Sequence, residues 1–151
     1  MDKSYGNILV PYDGSTYSQK ALKMAIELAK SFDSFTYLVN VVDVSTVNPP
    51  GQILSKGKRK TLEQIKNSIM ISTESHLKEI GINYKNSGIV IKSVVLEGDV
   101  VGKLLKFIQD NDIDLTIMGS KGRSGISKVL TLGSTSRKIS ELAKCPVIIM
   151  H

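Results

Sequence analysis

The chain has 151 residues, of which 41% are hydrophobic and 23% charged, a composition typical of one globular domain with an apolar core. Its apolar runs are shorter than the roughly 18 residues of a membrane-spanning helix, and residues 1–7 are polar and lack the apolar stretch of a secretory signal. We therefore expect a cytoplasmic protein that does not bind membranes.

Twenty Lys and Arg residues against fourteen Asp and Glu residues give a formal net charge of +6. Such a charge attracts nucleotides or nucleic acid, and it also keeps a protein soluble. The densest cationic cluster, residues 56–60, has no interleaved aromatic residues, and the whole chain has three Phe and no Trp. A base-stacking nucleic-acid surface is therefore disfavoured.

Strands and helices alternate from the start of the chain. Asn7–Tyr12 is an apolar strand, and the turn Asp13–Ser15 leads into an amphipathic helix over about residues 16–32, capped by Ser15 or Thr16. Phe35–Val44 is almost continuously apolar, which is typical of a strand covered on both faces.

A second helix is predicted over about residues 59–80, with Gly81 as its stop. His76 falls on the inner face and is interpreted as a partly buried structural residue. The predicted inner face comprises Leu62, Ile65, Ile69, Ser72 or Thr73, His76, Leu77 and Ile80.

The second half of the chain continues the alternation. Its predicted elements are a strand over Ile89–Leu96, a helix opened by Gly98-Asp99, a strand over Asp114–Met118, a glycine-rich segment, a short helix capped by Ser134 or Thr135, and a strand over Pro146–Met150. This order predicts an α/β fold: a single doubly wound, Rossmann-like domain over residues 1–151, with a five-stranded parallel sheet of order 3-2-1-4-5 and four helices. Ligands bind such sheets beyond the carboxyl ends of the strands.

The glycine-rich segment Gly119–Thr135 is the strongest candidate for a ligand site. Its glycines let a ligand approach the backbone closely, successive N–H groups can form an anion nest, and the following helix start adds N–H donors. Lys121 and Arg123 add positive charge. These features predict a cradle for nucleotide phosphates, although turn glycines of an ordinary loop would look similar.

Two common phosphate motifs are excluded here. No Gly-Lys-Ser/Thr follows the glycines, so the segment is not a P-loop. The dinucleotide fingerprint needs its glycines directly after the first strand, where this chain has only Tyr12–Ser15.

At these positions the sequence resembles the universal stress protein family, and the resemblance covers nearly the whole chain. ATP-binding members carry G-x2-G-x9-G-[ST] in the glycine-rich loop, whereas this chain has ten residues between Gly122 and Gly133. The segments that carry the resemblance are Ile8–Ser15, Asn40–Asp43, Glu97–Asp99, Met118–Gly122, Gly133-Ser134 and Cys145–Val147.

The resemblance implies an adenine nucleotide, ATP with ADP or AMP as alternatives, bound together with Mg or Mn. It implies that the backbone of Val41 meets the adenine edge and that Pro11 shapes the pocket floor. Asp13 is placed beside the ribose or phosphates, where it can hold the metal ion, although a carboxylate in this turn can also simply cap the first helix. The ribose and phosphate path is implied for Met118, Gly119, Gly122, Gly133, Ser134 and Thr135.

The implied role is that of a cytosolic sensor or regulator in the stress response, acting through a protein partner that the sequence does not identify. At most slow ATP hydrolysis is expected, since no arginine finger, water-positioning residue or general base is evident. Two alternatives stay open. One is a nucleotide-free dimeric interaction module of the same fold, which the extra loop residue supports. The other is a nucleotidyl-transfer enzyme, which would want a histidine motif near the first turn, where this chain has none.

The last strand, Pro146–Met150, is expected at the edge of the sheet. An apolar strand with an unpaired edge favours pairing with another chain. The resemblance implies antiparallel pairing across a two-fold axis, so we expect a homodimer through this strand.

Overall fold

A computed structural model describes residues 4–46, 51, 53–122 and 132–151. In these residues strands and α-helices alternate, and two short 3-10 turns follow β2 and α2. The elements are β1 Asn7–Pro11, α1 Thr16–Phe32, β2 Phe35–Val42, α2 Lys56–Asn83, β3 Val90–Glu97, α3 Val100–Asp110, β4 Leu115–Gly119, α4 Ser134–Leu142 and β5 Val147–Met150.

The strands form one parallel sheet of order β3-β2-β1-β4-β5. In the register, Leu9 of β1 lies opposite Tyr37 of β2 on one side and Thr116 of β4 on the other. The predicted fold class, with its strand order and four helices, is confirmed.

Helices cover both faces of the sheet. Helices α1 and α2 pack on one face around Ile8, Leu38 and Ile117. Helices α3 and α4 pack on the other face around Leu9, Val39 and a buried Met118. Because alternate strand residues point to opposite faces, β1 and β4 serve both cores, which explains their near-continuous apolar sequence.

The start of α1 follows its local chemistry. Ser15 is the N-cap, and its Oγ accepts a hydrogen bond of 3.1 Å from the N–H of Ser18. Such a bond satisfies one of the donors left free at a helix start. The prediction that Ser15 or Thr16 caps this helix is confirmed.

Helix α2 departs from the prediction. It begins at Lys56, and among the residues of its predicted inner face only Leu77 is fully buried. Ile65 is 44% exposed, Ile69 is 37% exposed, and His76 is exposed rather than partly buried. For Ile65 the reason is length, since 28 helical residues span about 42 Å and the eight residues of β3 about 26 Å. Part of the helix therefore has no sheet beneath it.

Gly81 does not stop α2, which continues to Asn83. A Cβ on Gly81 would lie 3.6 Å from the Oγ of Ser93 in β3, and that Oγ donates a 2.9 Å hydrogen bond to the carbonyl of Leu77. The glycine therefore lies where the helix runs close to the strand, and its small size serves packing.

Candidate functional site at the carboxyl edge of the sheet

The chain winds in opposite directions from β1 and β4, which are neighbours in the sheet. The connection from β1 leads to β2 on one side, and the connection from β4 leads to β5 on the other. This arrangement leaves a crevice beyond the carboxyl ends of β1 and β4, the usual ligand site of such sheets. Pro11 ends β1 and Gly119 ends β4, so both predicted site residues border this crevice.

Asp13 lies in the turn between β1 and α1. Its Oδ1 accepts a 2.9 Å hydrogen bond from the N–H of Ser15, an Asx turn that orients the carboxylate. Its Oδ2 lies close to the backbone of Gly122: a Cβ at position 122 would be only 2.9 Å from that oxygen. The structure therefore brings these two predicted site residues together, although they are far apart in sequence.

The backbone of Val41 is directed into the space past the end of β1. The N–H of Tyr12 donates a 2.8 Å hydrogen bond to the carbonyl of Val39, so Val39 points its backbone groups toward β1. Residues two apart in a strand point their backbone N–H and carbonyl groups to the same side. Because β1 pairing ends with Pro11 opposite Val39, the N–H and carbonyl of Val41 lie beyond the last ladder pair.

Asn40 holds the chain that leaves β1, and the sequence interpretation missed it. Its Nδ2 donates a 2.7 Å hydrogen bond to the carbonyl of Tyr12. Burial raises the pKa of the Tyr12 phenol, and the nearby Asp13 and Tyr84 raise it further. An amide side chain in a mostly apolar strand was the available signal.

The two ends of the glycine-rich segment are tied together. The N–H of Gly133 donates a 2.7 Å hydrogen bond to the carbonyl of Ser120, and the N–H of Ser120 donates one of 2.8 Å to the carbonyl of Met150. The buried Oγ of Ser136 donates a 2.7 Å bond to the carbonyl of Gly119. These bonds hold the start of α4 beside the end of β4, and the role of Ser136 was not predicted.

The predicted cap of α4 is wrong. The N-cap is Gly133, which has no side chain to cap the helix. Ser134 and Thr135 are the first two helical residues. The N–H groups of a helix's first residues have no partner within the helix. The start of α4 therefore lies beside the end of β4 with N–H donors that have no partner within the helix, an arrangement that favours anions.

Gly119 serves packing at its own position. A Cβ on Gly119 would lie 2.6 Å from the Cβ of Tyr17 and 3.0 Å from the backbone N of Ser18. The absence of a side chain therefore lets α1 lie against β4. Met118 is likewise buried, in the core beneath α3 and α4.

Chemically, the described part of the crevice offers backbone donors and acceptors, hydroxyls and one carboxylate. Residues 4–46, 51, 53–122 and 132–151 contain no group of three His, Cys, Asp or Glu side chains that could hold a metal ion. The stretch 123–131 lies outside the described residues, and Arg123 belongs to it. The extra loop residue is predicted within 123–132, so nearly all of its predicted range lies there too. No helix in the described part of the chain is long and apolar enough to cross a membrane.

Fold and crevice together define a doubly wound α/β domain with an open crevice at its switch point. The model of the universal stress protein family matches residues 4–151, and this chain belongs to that family. Universal stress protein MJ0531 of Methanocaldococcus jannaschii is 32% identical over 146 residues, covering 97% of this chain and 82% of that protein.

Solved structures share the fold. The universal stress protein UspA from Lactobacillus plantarum has a TM-score of 0.83 at 22% identity, covering 97% of this chain and 98% of that one. A universal stress protein in complex with cAMP has a TM-score of 0.64 at 21% identity and covers 97% of both chains.

Proposed function

We propose that this protein binds an adenine nucleotide, with ATP as the principal ligand, in the crevice at the carboxyl ends of β1 and β4. The observation that carries the proposal is the convergence of three kinds of group at one crevice. These are the open backbone of Val41, the Asp13–Gly122 contact, and the donor-rich start of α4 at Ser134. The complex of a structurally similar protein with cAMP supports the ligand class.

Each group suits one part of a nucleotide. The N–H and carbonyl of Val41 form an acceptor–donor pair that can match an adenine edge, with Pro11 beneath. The N–H groups and hydroxyls of Ser134 and Thr135 can receive the terminal phosphates. Gly122 and Gly133 let the phosphate chain approach the backbone.

Asp13 would hold a Mg or Mn ion against the phosphates. One carboxylate with phosphate oxygens and water is the usual way in which proteins hold Mg²⁺ beside a nucleotide. The ion would neutralise phosphate charge and orient the phosphate chain. The Asx turn through Ser15 fixes the direction of the carboxylate before the ligand arrives.

The same set of groups suits retention of a nucleotide more than rapid turnover. Catalysis of phosphoryl transfer needs a positioned nucleophile and further stabilisation of the transition state, beyond a cradle and a metal ion. We therefore propose a cytoplasmic sensor or regulator in the stress response, with at most slow hydrolysis.

Co-bound nucleotide is the first test. Protein purified without added nucleotide is denatured, and the extract is separated by chromatography, with adenine nucleotide expected near stoichiometry. Calorimetry of stripped protein with Mg-ATP should then give saturable heat and a raised melting temperature. Absence of both heat and thermal shift in the stripped, folded protein would overturn the proposal.

We also propose a homodimer through β5. This strand pairs only with β4 in the described part of the chain, and all four of its residues are half-buried. Pairing two such edges satisfies their free backbone groups. Analytical ultracentrifugation at micromolar concentration should give twice the chain mass of 16.5 kDa, and a monomer at that concentration would contradict the proposal.

A further inference from the structure

The first turns of α2 project beyond the carboxyl edge of the sheet. Lys66 of α2 lies level with the end of β3, since its Nζ is 3.3 Å from the Oε1 of Glu97. Ten residues precede it in the helix, back to Lys56, and at 1.5 Å per residue they extend about 15 Å further. The exposed Ile65 begins the part that the sheet does not cover.

A cleft of about 310 Å³ lies between this projecting part of α2, Glu97 at the end of β3, Val44 and Leu54. Its volume is at the lower limit for small-molecule pockets and has room for one bulky side chain. Lys66 bridges Glu63 at 2.9 Å and Glu97 at 3.3 Å, and Lys66 and Arg59 together balance these two carboxylates of the lining. The residues lining the cleft are Val44, Leu54, Arg59, Leu62, Glu63, Lys66 and Glu97.

Four cations lie in the first two turns of α2, and one of them, Arg59, also lines this cleft. Lys56, Lys58, Arg59 and Lys60 are all exposed, and no ion pair joins them to an acidic side chain in the described part of the chain. The first turn of α2 contains no acidic residue, although acidic residues are favoured at that end of a helix. Positive charge is thus concentrated at the N-terminus of a helix, where the helix dipole disfavours it. Such departures from the local rule occur at functional surfaces.

We infer that these four cations and the cleft together form a docking site for an acidic segment of a partner protein that carries one bulky apolar side chain. Carboxylates of the segment would pair with the four cations, and its apolar side chain would enter between Leu54 and Leu62. Arg59 belongs both to the four cations and to the cleft lining, so the two contacts lie side by side.

A protein segment fits this surface better than other polyanions. Nucleic-acid surfaces use aromatic side chains for base stacking, and the projecting part of α2 has none. A lipid surface would require several protruding apolar anchors. Near the cations one such residue is described, Ile53 at 95% exposure, whereas Leu54 and Leu62 are half-buried walls of a concavity. The inference does not depend on nucleotide binding, because no residue of the cleft lining belongs to the proposed nucleotide site.

The test uses a fluorescein-labelled peptide of Glu and Gly residues around one central Leu, and a second peptide with Gly in place of that Leu. Binding to the full chain is followed by fluorescence anisotropy at low ionic strength. We expect saturable binding, with the Leu peptide preferred about tenfold from burial of its side chain. Substitution of Leu62→Gln, which keeps the size but removes the apolar wall, should abolish that preference.

The cations are tested with the combined variant Lys56→Gln, Lys58→Gln, Arg59→Gln and Lys60→Gln. Its charge-matched control changes four exposed lysines elsewhere, Lys23, Lys30, Lys85 and Lys144, to Gln. We expect the four-cation variant to weaken binding tenfold or more, and the control to change it less than about twofold. Circular dichroism and Mg-ATP calorimetry report whether each variant keeps its fold and its separate nucleotide site.

Three results would overturn the inference. Equal binding of the Leu and Gly peptides would mean that the cleft takes no side chain. Equal losses in the four-cation variant and its control would mean a diffuse effect of net charge. The surface would be assigned to a membrane if the protein bound phosphatidylcholine–phosphatidylglycerol vesicles more tightly than the Leu peptide, and if the four-cation variant lost that binding.

Discussion

The carboxylate of Asp13 and the backbone of Gly122 meet at the crevice, with the Oδ2 of Asp13 only 2.9 Å from the position of a Cβ on Gly122. The two residues come from the loops after β1 and β4, which become neighbours only in the folded sheet. A side chain at position 122 would therefore displace the carboxylate.

Substitution of Gly122→Ala should lower nucleotide affinity about tenfold or more. It should lower the free energy of unfolding by at most about 1 kcal/mol, the contribution of the Asx turn that a displaced Asp13 would lose. Residue 122 is exposed, and the side chain of Asp13 can turn away without disturbing the core. Gly57→Ala, in open space on α2, is the matched control and should bind as wild type does. Calorimetry with Mg-ATP decides the point, and wild-type affinity in the Gly122 variant would remove this contact from the site.

Asp13 is proposed to hold the metal ion, and it also accepts the hydrogen bond of the Asx turn; two substitutions distinguish these roles. Asp13→Asn keeps an oxygen for the N–H of Ser15 but loses the charge, so stability should hold while the Mg²⁺ dependence of ATP affinity disappears. With Mg²⁺ chelated, the variant should bind ATP no worse than wild type, because the native carboxylate then only repels phosphate. Unchanged Mg²⁺ dependence would contradict the metal role.

Asp13→Ala should in addition lose the Asx turn. We expect its free energy of unfolding to fall by about 1 kcal/mol, the usual effect of removing a side-chain cap at a helix start. Urea denaturation of the two Asp13 variants measures the difference, and equal stability would mean that the turn forms without this side chain.

Gly119→Ala should destabilise the protein with or without nucleotide. Its Cβ would lie 2.6 Å from the Cβ of Tyr17, so α1 must move away from β4, at a cost of about 1–3 kcal/mol. Gly57→Ala should raise stability by up to about 1 kcal/mol instead, through helix propensity. Thermal unfolding of stripped protein compares them, and a Gly119 variant as stable as wild type would refute the packing role.

Thr36→Val should stabilise the protein by about 1 kcal/mol. Thr36 is 0% exposed, and its Oγ1 has no hydrogen-bond partner in the described part of the chain, so an apolar group of the same shape removes a desolvation penalty. Thr116 is the control: it is equally buried, but its Oγ1 lies 3.3 Å from the Sγ of Cys145. Thr116→Val should gain less, and urea denaturation that ranks the two variants the other way would contradict the argument.

Local chemistry determined much of this protein from its sequence. The apolar runs of β1 and β4, the alternation with helices and the Ser15 cap follow from side-chain period and capping, which depend on near neighbours in the chain. The alternation and the constraints on crossovers also predict a parallel sheet with helices on both faces. They allow more than one strand order, so the reversal of winding between β1 and β4 is seen only in the folded sheet.

Only the tertiary structure decided which residues lie opposite one another. The exposure of Ile65 depends on where β3 ends relative to α2, and the need for glycine at 119 depends on the position of Tyr17. Asn40 and Ser136 each donate a hydrogen bond to a carbonyl outside their own element. These are long-range steric and hydrogen-bond relationships, and a sequence pattern reports only the neighbours of a residue along its own chain.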